Sequence, residues 1–166
     1  MHSCGPARLV LMCGPPGSGK TTLARRLAVQ LSAVSLSPDE WMTHLGVGLD
    51  HVVREPLSDQ LWRLGQELLA NGQNVIMESG HWMRPERDEK RLAARALGVS
   101  VELQLLDVPL DELHRRVALR TKERSWGSYP LAPGELDRWV SFFQPPDASE
   151  LALFDAPTRL VESSVD

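Results

Sequence analysis

Apolar and polar positions along the chain follow two rhythms that alternate from end to end. Short apolar runs bounded by turn residues predict strands at Arg8–Cys13, Ala33–Ser37, Asn74–Glu78, Val99–Leu106 and Thr158–Glu162. Between them the apolar residues recur at helical spacing. Thr22–Leu31 is amphipathic, and Ser37-Pro38-Asp39-Glu40 opens a helix with proline in its first turn and acids where the helix dipole favours them. Leu57, Leu61, Leu64 and Leu68 form one stripe that stops at Asn71-Gly72. Pro85–Leu97 is a highly charged helix ended by Gly98, a further helix runs from Pro109 towards Arg120, and Glu135–Phe143 is a short one. The stretches Gly46–Pro56, Ser125–Gly134 and the Pro145-Pro146 segment carry no period and read as irregular. Strand and helix signals alternating along the chain predict an α/β fold, a five-stranded parallel sheet with helices on both faces in three layers. With no repeat, low-complexity tract or linker in 166 residues, one domain is expected over 1–166.

One junction in this pattern carries chemistry. The strand Arg8–Cys13 runs into Gly14-Pro15-Pro16-Gly17-Ser18-Gly19-Lys20-Thr21, and the helix beginning at Thr22 follows at once. This is a complete phosphate loop in its strand–loop–helix setting. Gly14, Gly17 and Gly19 let successive N–H groups point into one hollow, and the helix N-terminus adds partial positive charge. Lys20 is placed to reach the β- and γ-phosphates, and the Thr21 hydroxyl to ligate Mg²⁺. Gly14 through Thr22 are therefore the candidate nucleotide-binding residues.

A phosphate loop alone does not separate switches, motors and kinases, so the other strand ends matter. Asp39 lies just past the second strand, where ligands of open α/β sheets sit. There a carboxylate can accept the proton of a hydroxyl that attacks the γ-phosphate. It also suits the first turn of a helix, and both readings stand. Glu78 ends a central strand, where an acid can hold Mg²⁺ through water or orient substrate. Ser79-Gly80-His81-Trp82 follows it and is expected to line the same crevice, with His81 as either a substrate contact or a packing residue. Arg116, Arg120 and Arg124 recur every four residues on one helical face and lead into a loop containing Trp126. They are expected to form a lid, Arg116 binding nucleotide and Arg120 and Arg124 neutralising charge on the transferred phosphoryl group. Arg115 reads as a solvated basic position.

Residues 8 to 147 resemble the small P-loop kinases grouped with AAA-type ATP-binding proteins, within the adenylate-kinase-like set. Chloramphenicol phosphotransferase, the zeta toxins, gluconate kinase and shikimate kinase are similarly organised. The resemblance rests on the phosphate loop, on Asp39, on Glu78-Ser79-Gly80 and on the arginine helix. It implies a P-loop NTPase fold with a small lid, ATP and Mg²⁺ as cofactors, and a general-base role for Asp39. The segment Phe143-Gln144-Pro145-Pro146 is similar to a turn found near the adenine in that family.

Composition narrows the acceptor. A net charge of −4 argues against broad nucleic-acid binding, which needs a basic surface, although it leaves recognition of a nucleic-acid end open. Cys4 and Cys13 fit neither a disulfide framework nor a zinc site, and reduced thiols suit a cytoplasmic protein. A membrane span and a secretory leader are not expected. Trp41, Trp82 and Trp126 with Asp39, Glu40, Glu55, Glu78 and His81 suggest an aromatic, acidic acceptor pocket, with Arg54, Arg84 and Arg87 able to serve an anion. The expected activity is transfer of the ATP γ-phosphoryl group to a hydroxyl of a small molecule. The alternatives are a polynucleotide 5′-hydroxyl or nucleotide-sugar kinase, and a regulatory module that hydrolyses ATP slowly.

Overall fold

The computed structural model describes residues 6–48, 51–122 and 131–161. Four strands, β1 (Arg8–Cys13), β2 (Val34–Leu36), β3 (Val75–Gly80) and β4 (Ser100–Leu105), form a parallel sheet in the order β2-β3-β1-β4. Around it lie α1 (Lys20–Leu31), α2 (Pro38–His44), α3 (His51–Ala70), α4 (Arg84–Ala96), α5 (Leu110–Lys122), α6 (Glu135–Phe142) and α7 (Ala148–Leu151). Alternate residues of the central strands feed opposite faces, as the pleat requires. Leu9, Leu11 and Cys13 join Val75, Met77, Val101 and Leu103 against Leu61, Trp62 and Leu69 of α3 and Ala94 of α4. Val10, Met12 and Ile76 pack on the other face against Ala24 and Leu27 of α1. Being covered on both faces is why β1 reads as an unbroken apolar run rather than an alternating one. Among the described residues, no helix is long and apolar enough to cross a membrane.

Two expectations need correction. The predicted fifth strand is not formed at Thr158–Val161, and Glu162 lies outside the described residues. The chain meets β4 in one isolated parallel bridge, Glu102 with Asp155, where the Asp155 amide donates to the Val101 carbonyl at 2.8 Å, and beyond it side chains take the polar groups that a ladder would. The Thr158 amide and hydroxyl both donate to the buried carboxylate of Glu102, Gln104 donates to the Thr158 carbonyl at 2.9 Å, and Asp155 receives the Val101 amide at 2.7 Å. Pro157, with no N–H, cannot donate a ladder bond. The second correction is α3, which begins at His51 and carries Pro56 inside it, where an irregular stretch was expected. An interior proline costs about 3 kcal/mol. The leucine stripe repays it by burial, since Leu61 is fully packed in the core and Leu57, Leu64 and Leu68 lie against it. The short α7 follows the Pro145-Pro146 segment and was absent from the sequence pattern.

Candidate active site

At the carboxyl end of β1 the chain turns through the phosphate loop into α1. Gly17 sits at φ 80°, and a Cβ there would lie 3.0 Å from a methyl of Val117 on α5, so the loop can pass under α5 only as glycine. The Ser18 hydroxyl is buried and has no hydrogen-bond partner among the described residues. An orphaned donor on such a loop fits a phosphate oxygen. Lys20 folds back so that its ammonium donates to the Pro15 carbonyl at 2.7 Å. Burial pulls its pKa down to about 8, against the charges of Glu78 and Asp39, which hold it up. An ammonium so poorly solvated gains strongly from an anion.

Across the loop, the Thr21 hydroxyl hydrogen-bonds the Glu78 carboxylate at the end of β3. Burial pushes the Glu78 carboxyl up, opposed by that hydrogen bond and by Lys20. A hydroxyl and a carboxylate in contact are hard oxygen donors that fit Mg²⁺ shared with phosphates and water. Among the described residues no three His, Cys, Asp or Glu side chains form a metal cluster, so an ion here would depend on phosphate oxygens.

Asp39 stands at the start of α2. The helix cap is Ser37, whose hydroxyl accepts the Glu40 amide at 3.3 Å. The Asp39 side chain instead pairs with Arg54 of α3, at 3.1 Å, and about half of it is exposed. Its negative charge acts on both Lys20 and Glu78, raising the pKa of each. Glu40 acts on Glu78 as well, and Trp41 is 41% exposed beside them.

On α5, Arg116 donates to Glu112 at 2.6 Å and approaches the Ser18 carbonyl at 3.4 Å, which puts its guanidinium against the loop. The positive charge of Arg120 reaches Lys20 and lowers its pKa. Arg115 forms two 2.7 Å bonds to Glu112 at the surface, as a solvated position should. Arg115 and Arg116 together hold the Glu112 carboxyl down at about 2. Arg124 and Trp126 lie outside the described residues.

His81 does not line the crevice. It is fully buried at φ 44°, with Nδ1 donating to the Met12 carbonyl at 2.8 Å and Nε2 accepting from Ser79 at 3.0 Å. Burial pushes its pKa down to about 4 and keeps it neutral. Since an unfolded histidine titrates near 6.5, the stability tied to this neutral ring is complete above that pH and lost as pH falls towards 4. We expect the protein to lose about 2 kcal/mol between pH 7 and pH 5 from this group, read from urea midpoints, and His81→Asn to remove that part of the slope.

Arg87 cannot serve an anionic acceptor either. Its guanidinium is buried and clasps Glu150 of α7 at 2.5 and 2.8 Å, while Nη1 donates to the carbonyls of His81 and Trp82 at 3.0 and 3.1 Å. The partners are 63 residues apart, and no local pattern announced them. Glu150→Ala leaves a buried charge unpaired, so a loss of about 3–5 kcal/mol is expected in chemical denaturation. Trp82 is half-buried and its indole N–H donates to the Gly14 carbonyl at 3.0 Å. The Phe143–Pro146 turn packs beside it, with the Gln144 amide donating to the Trp82 carbonyl at 3.0 Å.

A phosphate loop at the carboxyl end of a parallel β2-β3-β1-β4 sheet, with an arginine helix above it, defines a P-loop domain with a kinase-like fold. Residues 9–146 match the AAA domain family, and the chain belongs to that family. It is 30% identical over 161 residues to an ATPase family AAA domain-containing protein of Arabidopsis thaliana, covering 95% of this chain but only 13% of that relative. Solved structures show the same fold. In the Pnkp1/Rnl/Hen1 RNA repair complex, one chain superposes with a TM-score of 0.72 at 20% identity, over 99% of this chain and 52% of that one. A putative kinase from Chloroflexus aurantiacus gives 0.67 at 24% identity, covering 86% and 83%. The Mycobacterium tuberculosis APS kinase in complex with AMPPNP and APS gives 0.57 at 20%, covering 72% and 73%.

Proposed function

We propose that the chain is an ATP-dependent phosphotransferase that moves the γ-phosphoryl group to a hydroxyl of a small molecule. What supports this reading is a carboxylate, Asp39, in the first turn of the helix that follows β2, whose charge acts on both Lys20 and Glu78 of the Thr21–Glu78 pair. A hydrolytic switch needs only the loop and a positioned water. A carboxylate on a separate helix beside the γ-phosphate position supplies a base for an acceptor hydroxyl. In the step, the acceptor oxygen bonds to the γ-phosphorus as the bond to the β–γ bridging oxygen breaks. The hydroxyl proton passes to Asp39, and ADP leaves with the bridging oxygen. Lys20, Arg116 and the loop N–H groups hold the phosphates, and Thr21 and Glu78 are the groups that would hold Mg²⁺. The ion would supply charge neutralisation across the β- and γ-oxygens. The APS kinase structure, with AMPPNP and APS bound, supports a small-molecule acceptor on this fold.

The RNA repair likeness supports the alternative of a nucleic-acid 5′-hydroxyl, against which stands the net charge of −4. Acceptor-dependent ADP release separates the readings, tested over metabolites, nucleosides, sugars, antibiotics and a 5′-hydroxyl oligonucleotide. ADP release that no acceptor accelerates would leave a nucleotide-hydrolysing regulatory module. For the lid, Arg120→Ala should lower kcat by about tenfold or more while changing the KM for ATP less, because the charge it meets grows in the transition state. An effect confined to KM would make Arg120 a ground-state ligand.

A further inference from the structure

We infer that Trp82 is a positioning residue of the phosphate loop, held in place by the buried Arg87–Glu150 pair; this rests on the loop being the nucleotide site. The chain leaves β3 through two successive left-handed residues, Gly80 at φ 87° and His81 at φ 44°. This turn lays the Trp82 indole back over the strand end. A Cβ on Gly80 would sit 2.7 Å from the indole nitrogen, so glycine is required twice here, by its backbone and by its neighbour. The segment then grips the first residue of the loop from both sides. The Gly14 amide donates to the Gly80 carbonyl at 3.1 Å, and the Gly14 carbonyl accepts the indole N–H at 3.0 Å. A carbonyl fixed on the indole is an oxygen kept from turning towards the phosphates, which it would repel.

What fixes the indole lies behind it. Arg87 donates to the carbonyls of both His81 and Trp82, so the backbone that carries the indole cannot rotate without breaking bonds to a buried cation. Glu150 holds that cation through two bonds, and its own amide is capped by Asp147 at 2.8 Å. Gln144 takes the Trp82 carbonyl from the other side. Residues of α4, α7 and the α6–α7 connection thus converge on one tryptophan. A side chain that merely walled an acceptor pocket would need none of this.

Two measurements test the proposal. Exchange of the Trp82 indole N–H, followed by NMR in the nucleotide-free protein, should be at least about tenfold slower than that of the exposed Trp41 indole. The resonance is assigned by its loss in Trp82→Phe or by its through-space contact to Gly14. Equal exchange rates would overturn the latch with no nucleotide involved. ADP affinity measured by calorimetry should then weaken about tenfold in Trp82→Phe, which keeps the ring and removes the donor, and by a similar factor in Gly80→Ala. ADP binding within twofold of wild type in both, with a raised KM for the acceptor, would make Trp82 a pocket wall. A protein that binds ADP yet phosphorylates no acceptor would sink the kinase reading while the exchange rate and ADP affinity still decide the latch.

Discussion

Lys20→Ala is expected to reduce phosphoryl transfer by about a thousandfold or more, to the background of the assay. The ammonium is held where water solvates it poorly, with its pKa down at about 8, and it donates to the Pro15 carbonyl at 2.7 Å. A triphosphate offers it a far better partner, and the charge it neutralises grows as the γ-phosphoryl group departs. The loss should therefore fall on kcat as well as on ATP affinity. A second consequence follows from the same pKa. Bound phosphates raise the pKa of Lys20, so nucleotide binding takes up a proton once the pH exceeds about 8, and affinity should decline as pH rises through that value. Lys20→Arg, which cannot deprotonate, should bind with a flatter profile. Normal turnover in a folded Lys20→Ala protein would mean that the loop is not the working site.

Much of this arrangement was legible because its signals are local. β1, the phosphate loop and α1 form one continuous stretch whose hydrophobic period, glycines and helix start agree with one another, and the structure places them as read. The charged helix between Pro85 and Leu97 became α4, Arg84–Ala96, for the same reason. What stayed hidden depends on contacts between distant residues. Pro56 reads locally as a break, and only the packing of the leucines behind it keeps α3 whole. The final segment has the apolar residues of a strand, but Glu102, more than fifty residues away, takes the Thr158 amide out of any ladder. His81 looks like a site residue in sequence because it follows Glu78 closely, and Arg87 because its charge could serve an anionic acceptor. Their burial is decided by Met12 on β1 and Glu150 on α7, neither of which is near them in the chain. Trp82 was expected to face the acceptor on the same ground of proximity, yet its polar atom is spent on Gly14.

Asp39→Asn is the substitution that weighs most on the proposed chemistry. It keeps the size of the side chain and removes its ability to take a proton. If the carboxylate is the base, single-turnover transfer should slow by about a hundred- to ten-thousand-fold while ADP affinity and melting temperature change little. The helix itself should be indifferent, because Ser37 and not Asp39 provides the cap, and asparagine is well tolerated in a first turn. The Arg54 pair complicates a simple deletion, since Asp39→Ala would also release that guanidinium into the crevice. Asparagine can still accept a hydrogen bond from Arg54, which makes it the cleaner probe. A loose, metaphosphate-like transition state asks limited help from a base, so the size of the effect carries information of its own. A loss below about tenfold would leave Asp39 as a group that orients the acceptor. An undiminished rate would remove it from the chemistry and turn attention to Glu78, whose raised pKa and contact with Thr21 make it the next carboxylate in line.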